Sequence, residues 1–393
     1  MVSVGPHLAR TPAPDEDEAR ERAWRVVHGA YAERVPVGRP RRPRRRGRLL
    51  LVPALTALAA GLALTPAGAT VGRWIRHALG APHAASALLS LPAPGRVLVS
   101  GSDGAWIVGA DGSKRRLGSW SQASFSPNGR FVAVTSGSTL AALDPLGSAR
   151  WTLTRPAVSD PRWWSPLGYW VAYLSGSSLR VVWGNGREDR LLAAHVAPVA
   201  PAWRPGFAYQ VAYATASGRV VVRDAQTGLV SWRSGPVPEP IELDWSSAGT
   251  RLLVLSQAAA RVYDPAGRLV SEVVLRSSAP ARSGALSPDG RMLALVRAGA
   301  DDAELYDVAK RRPAGARIFS GAGLDQLAWA PNGRWLLITW PAADQWIFVR
   351  TTAGGGRRLQ AVSRIAEQFA PGGRPRGYPQ LDGWCCATSS TDG

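Results

Sequence analysis

Side chains able to attack a substrate or hold a metal are scarce in this 393-residue chain, which has five histidines (His7, His28, His77, His83, His195) and two cysteines (Cys385, Cys386). No Cys-x-x-Cys or His-x-x-x-His spacing is present, so no structural zinc site and no metal ligand is expected. A serine hydrolase needs serine, histidine and carboxylate together. His195 is the only histidine within the C-terminal three quarters of the chain, and it reads as an ordinary loop or strand residue. Paired carboxylates could serve glycoside chemistry, and Asp301-Asp302 is the obvious pair, but its Gly/Ala-rich surroundings fit a solvated turn better. Asp224, Asp264 and Asp307 recur at equivalent places, which points to turns, because a catalytic group would break the repetition. The adjacent Cys385 and Cys386 cannot tie distant segments together. They are expected as reduced or buried thiols, with a vicinal disulfide or a bridge between chains as alternatives in an oxidising exterior. No catalytic residue, cofactor or metal is therefore assigned, and the chain is expected not to be an enzyme.

The elements that would position any site are repeats. Phe125-Ser126-Pro127-Asn128-Gly129-Arg130 recurs as Leu286-Ser287-Pro288-Asp289-Gly290-Arg291 and as Trp329-Ala330-Pro331-Asn332-Gly333-Arg334, each followed by a short apolar run. Degenerate copies begin at Trp164, Trp203 and Trp245. From Pro127 through Pro166, Pro205, Ser247, Pro288 and Pro331 the steps are 39, 39, 42, 41 and 43 residues, the length of a four-stranded propeller blade. Asn-Gly and Asp-Gly tolerate the positive φ of a tight hairpin, and the aromatic before the turn is expected to pack between neighbouring blades. Further strand-like runs follow each turn, such as Leu179 to Trp183, Val220 to Arg223 and Trp346 to Val349. A blade cannot bury its own faces, so such units close into a ring.

Two fragments complete the count. Val97 to Ser100, Ala105 to Val108 and Arg115 to Leu117 look like three strands of a blade without its first, while Phe369-Ala370-Pro371-Gly372-Gly373-Arg374 repeats the turn 40 residues after Pro331. A first blade closed by residues 363–370 would make seven. The expected fold is all-β: a seven-bladed propeller over 93–374, followed by a C-terminal tail, 375–393. The repeated turn resembles that of TolB-type, WD40-like propellers, although the Gly-His and Trp-Asp dipeptides of WD40 repeats are absent. What the resemblance implies is a protein-binding platform in the bacterial envelope.

Upstream, residues 39–48 read RPRRPRRRGR and residues 49–71 carry no charged side chain. This apolar run is long enough to cross a bilayer, and the arginines on its N-terminal side place 1–48 in the cytosol and the rest outside. Ala67-Gly68-Ala69 fits a signal cleavage site, but both the leader and the apolar run are long for one. The expectation is a single-pass membrane protein with a transmembrane helix at 49–71, a linker at 72–92 and an extracytoplasmic propeller. In the cytosolic tail, Trp24, Val27 and Tyr31 form one apolar stripe on a short helix opened by Asp15 to Glu18. That stripe suits either the lipid surface or a cytosolic protein partner. Short helix, one span and exported domain resemble the layout of membrane-bound anti-sigma regulators, without their zinc-binding His and Cys motif. A formal charge of +19, nearly all of it arginine, is spread through the repeats, and nucleic acid is not an expected partner. The function expected is a binding or sensing module for a protein, peptide or cell-wall ligand, with a propeller hydrolase or lyase acting on envelope polysaccharide as the alternative.

Overall fold

In the repeated turn a serine begins the reversal and a glycine ends it. Ser126 Oγ accepts the Phe131 amide at 2.9 Å, and Asn128 Oδ1 accepts the Arg130 amide at 3.2 Å. Ser287, Asp289 and Met292 repeat the pattern. Gly129, Gly290 and Gly333 stand at φ +65°, +73° and +65°. The positive φ falls on glycine alone. Asn and Asp instead keep ordinary backbone angles and cap the turn with their side chains, the alternative use of such residues.

A computed structural model of the chain describes residues 90–386 apart from 165–166, 207–208 and 352–357. These turns organise seven four-stranded antiparallel sheets. The predicted span at 49–71 and the stripe Trp24, Val27 and Tyr31 lie outside the described residues. Among the described residues no helix is long and apolar enough to cross a membrane.

The first blade contains β1 (Arg96–Ser100), β2 (Ala105–Val108) and β3 (Lys114–Gly118). The second holds β4 (Gln122–Phe125), β5 (Val132–Ser136), β6 (Thr139–Leu143) and β7 (Ala149–Thr154). The third holds β8 (Val158–Trp163), β9 (Trp170–Ser175), β10 (Ser178–Trp183) and β11 (Arg190–Ala194). In the fourth blade the order is β12 (Ala202–Trp203), β13 (Gln210–Ala214), β14 (Arg219–Asp224) and β15 (Val230–Pro236). The fifth runs from β16 (Pro240–Trp245) through β17 (Leu252–Ser256) and β18 (Ala259–Tyr263) to β19 (Leu269–Val274). The sixth runs from β20 (Ala281–Leu286) through β21 (Met292–Arg297) and β22 (Asp302–Asp307) to β23 (Ala316–Ser320). The seventh comprises β24 (Leu327–Trp329), β25 (Trp335–Trp340), β26 (Gln345–Arg350) and β27 (Leu359–Ser363).

Closure comes from a different segment than the motif predicts. The strand paired with β1 is β28 (Gln380–Cys385), with Trp384 opposite Val97 and Gly383 opposite Leu98. Residues 363–370 do not close the ring. Leu359–Ser363 is the outer strand of the seventh blade, and Ile365–Gln368 forms a single helical turn, α1. Phe369, 2% exposed, plugs the seam between the seventh and first blades beside Trp346 and Trp106. The body therefore reaches past residue 374 to include β28, and it starts slightly before residue 93, since Leu91 is buried and its amide donates to Ala110 O at 2.9 Å.

Seven apolar clusters occupy the seven seams between blades. The tryptophans before the turns pack across these seams as expected. Trp203 Nε1 donates to Arg162 O at 2.9 Å and Trp329 Nε1 to Ala285 O at 3.0 Å, in each case the same position of the preceding blade. Burying each such side chain contributes roughly 1.5–3 kcal/mol. Because every blade lends one face to each neighbour, the ring holds only as a whole.

Candidate functional site

In an antiparallel four-stranded sheet the first and third hairpins lie at the same end, so these turns from all blades share one face of the ring. Two of them depart from the standard length. In the second blade Ser126 N donates to Phe131 O, spanning five residues; in the third Trp164 N donates to Trp170 O, spanning six, and in the fourth Arg204 N donates to Gln210 O, also spanning six. The extra residue shifts the motif. Trp163, opposite Val171, takes the inter-blade position that Phe125 holds opposite Val132, and Trp164 falls where the second blade has Ser126. The sequence pattern gives that position to Trp164, because it matches Trp-Ser-Pro against Phe-Ser-Pro without the inserted residue.

Beside these turns an aromatic groove runs across the second, third and fourth blades, a cavity of about 810 Å³. Phe131, Trp151, Trp163, Tyr169, Trp170, Trp183 and Tyr209 line it with Asn128, Arg150, Asn185 and Gln226. Phe131 and Trp163 stack with 24° between ring planes, as do Trp164 and Tyr209 with 30°, while Trp170 meets Trp183 edge-on at 6.1 Å. Trp151 Nε1 donates to Gly184 O at 2.7 Å and so binds two blades together under the groove floor. Gly186 leaves room for the Trp151 ring, since a Cβ there would come within 2.8 Å of it. Among the described residues the large aromatic side chains that are well exposed are Phe131, Tyr169 and Trp183, at 36%, 58% and 41%, and all three line this groove. Rings left in water cost free energy, and their gathering in one concavity marks a contact surface.

The inner strands enclose a second, polar cavity, the central channel, also about 810 Å³. Asp160, Arg162, Glu242, Asp244, Arg282, Asp325, Gln326 and Asp382 face it. Arg282 Nε donates to Asp325 Oδ1 at 2.6 Å, and the Gly284 amide donates to Glu242 Oε2 at 2.9 Å. Burial raises the Glu242 carboxyl to about 7, with the Gly284 amide opposing and Asp244 adding to the rise. Burial likewise raises Asp244 to about 6 and Asp382 to about 7. Arg162 favours the charged form of all three and is outweighed. Water reaches part of each side chain through the channel, but the protein wall around them leaves too little of it to hold three negative charges cheaply.

Of the residues singled out by sequence, several prove to be turn caps. Asp224 Oδ1 accepts the Gln226 and Thr227 amides, Asp264 Oδ1 those of Ala266 and Arg268, and Asp307 Oδ1 that of Ala309. Asp301 turns the chain at φ +52°, and Asp302 accepts Ser320 Oγ at 2.7 Å. His195 lies in the connection from β11 to β12 at φ +55°, with its carbonyl accepting the Ala216 amide. Cys385 and Cys386 form a vicinal disulfide, the alternative to the buried or reduced thiols expected. Their sulfurs lie 3.5–3.9 Å from the carbonyl oxygens of Ser126 and Pro127, at the junction of channel and second blade. Among the described residues no three His, Cys, Asp or Glu side chains are grouped to hold a metal ion.

Glu242, Asp244 and Asp382 escape sequence reading. The first two sit two apart on β16 and thus on one side of it, a signal that becomes useful only once β16 is known to be innermost. Asp382 lies in a segment that reads as tail. The groove aromatics are visible individually, but their convergence depends on three blades at once.

No protein-family model matches the chain, and no curated protein does. Among solved structures, Kluyveromyces lactis Hsv2 is similar at a TM-score of 0.55 and 15% identity, over 69% of this chain and 96% of that one. A form of that protein with loop 6CD replaced by a Gly-Ser linker gives 0.55 and 15%, over 68% and 94%. At such identity the likeness bears on the propeller fold alone.

Proposed function

We propose that this chain is a single-pass envelope protein whose propeller, of the TolB or WD40-like type, lies outside the membrane and binds a protein, peptide or cell-wall ligand through the aromatic groove. The exposed rings Phe131, Tyr169 and Trp183 in one concavity carry this reading. A rigid ring presenting such a groove is built for binding, and among the described residues its lining holds no histidine, cysteine, lysine or carboxylate. The arginine run and the charge-free stretch at 49–71 support the anchor. The stripe of Trp24, Val27 and Tyr31 gives the cytosolic tail a docking face, by which occupancy outside could be relayed to a protein partner inside.

The test uses the intact, detergent-solubilised protein and its Tyr169→Ala, Trp183→Ala double variant against envelope fractions. Retention of envelope material by the native protein and its loss in the variant, at unchanged melting temperature, is the expected result. Equal retention by both would remove the groove from the function. A tail-deleted form should lose cytosolic partners and keep exterior ones.

The second reading, a propeller hydrolase or lyase acting on envelope polysaccharide, draws on one observation. Glu242 and Asp382, raised to about 7, would be available as proton donors near neutrality. Polysaccharide cleavage that disappears in Glu242→Gln and Asp382→Asn would favour it over the binding module.

A further inference from the structure

Deepening that reading, and resting on it, we infer that the groove takes a neutral oligosaccharide. Sugar rings present an apolar face of C–H bonds whose positive edges suit the negative face of an aromatic ring, and hydroxyl groups around the rim that want planar donors and acceptors. Both halves of that requirement are present. Tyr169 and Trp183 offer exposed rings, and the exposed side chains of Asn128, Asn185 and Gln226 stand among the lining residues. Asn128 Oδ1 and Asn185 Oδ1 are each held by a turn amide, from Arg130 and Arg187 respectively. That leaves their Nδ2 hydrogens as donors for hydroxyl oxygens.

Charge selects against the competitors. The chain as a whole carries +19, yet among the described residues the groove lining holds one formally charged side chain, Arg150, and it is paired with Asp144 at 3.1 Å. A polyanion would find more to bind elsewhere on the molecule. An extended proline-rich peptide presents a carbonyl at each residue and also packs on aromatic rings, so decaproline is the competitor that the titration must separate from a sugar. The volume of about 810 Å³ is within the range of small-ligand sites, with room for a short chain of sugar rings.

The experiment titrates the full-length protein in detergent with chitotetraose, maltotetraose and cellotetraose, alongside decaproline and a heparin tetrasaccharide, following tryptophan fluorescence. At least one neutral tetrasaccharide should give saturable quenching. Trp183→Ala and Tyr169→Ala should each weaken it roughly three- to tenfold, the scale of one lost ring contact. Trp183→Phe, which keeps a ring, should retain most of the affinity, and that separates stacking from misfolding. Binding of decaproline or the heparin fragment in place of any neutral sugar would overturn the ligand class while leaving the groove as the site. Failure of every sugar to bind would overturn it too, and if the double variant also keeps its envelope ligands the groove reading falls with it.

Discussion

Gly290 ends its turn at φ +73°, and a Cβ there would meet Arg251 Cγ at 2.9 Å and Ser246 Oγ at 3.1 Å, both in the neighbouring blade. Gly290→Ala should therefore destabilise the propeller by about 1–2 kcal/mol from the left-handed backbone alone, seen as a melting temperature lower by a few degrees. Gly290→Asn, whose side chain tolerates that region better, should lose less in the same thermal melt. The channel acids make a prediction of opposite origin. Glu242 and Asp382 rise to about 7 in the folded protein, while the unfolded chain releases these protons near the usual carboxylate range. Between roughly pH 4.5 and 7 the folded state binds more protons than the unfolded one, so stability contributed by these groups falls as pH rises and levels off above about 7. Melts at pH 5, 6 and 7.5 should show the decline, and Glu242→Gln should make it shallower. The turn chemistry was legible because it is local: serine, proline, Asn or Asp, and glycine each act within six residues. The acids were not, because what raises them is a wall assembled from several blades.

Strand β28 is the element on which closure depends. Trp384, 7% exposed, packs against Phe348 at 5.6 Å and stands opposite Val97. Trp384→Ala should cost about 3–5 kcal/mol, read from chemical unfolding, and should raise hydrogen exchange first in β1 and β28. Six blades were recognisable from their turns, and the seventh was counted correctly but closed with the wrong segment. The reason is physical. A turn motif exists to reverse the chain into the next strand, and the strand that follows β28 in space is β1, which lies far away in sequence, at the start of the propeller. No hairpin is needed after Trp384, so none is encoded, and Cys385-Cys386 stands where a Ser-Pro would otherwise begin one. Phe369 and its glycines resemble the motif because an aromatic plug followed by a chain reversal draws on the same residue types. The inserted residue in the third blade misplaced Trp164 for a similar reason, since local resemblance to Trp-Ser-Pro outweighed a register that only pairing reveals.

The described residues form a ring with one aromatic groove, and its period of about 40 residues is enough to specify that architecture. Ligand class was not legible in the same way, because Phe131, Tyr169 and Gln226 belong to three different repeats and no single repeat carries the site. At this scale the proposed topology gives its own prediction. Alkaline phosphatase fused after residue 386 should be active at the cell exterior, whereas the same reporter fused after residue 38 should be silent. The pairing of β28 with β1 also sets a timetable. Residues 96 and 380 are 284 positions apart, so at ordinary rates of synthesis β1 waits roughly 15–60 s for the strand that covers it. Until then Val97, Leu98 and Val99 form an unprotected edge of the kind that invites pairing with another chain. A newborn copy thus needs a chaperone, or simple dilution, during that interval, and crowded production should yield interlinked rings in which one chain's last strand completes its neighbour's first blade.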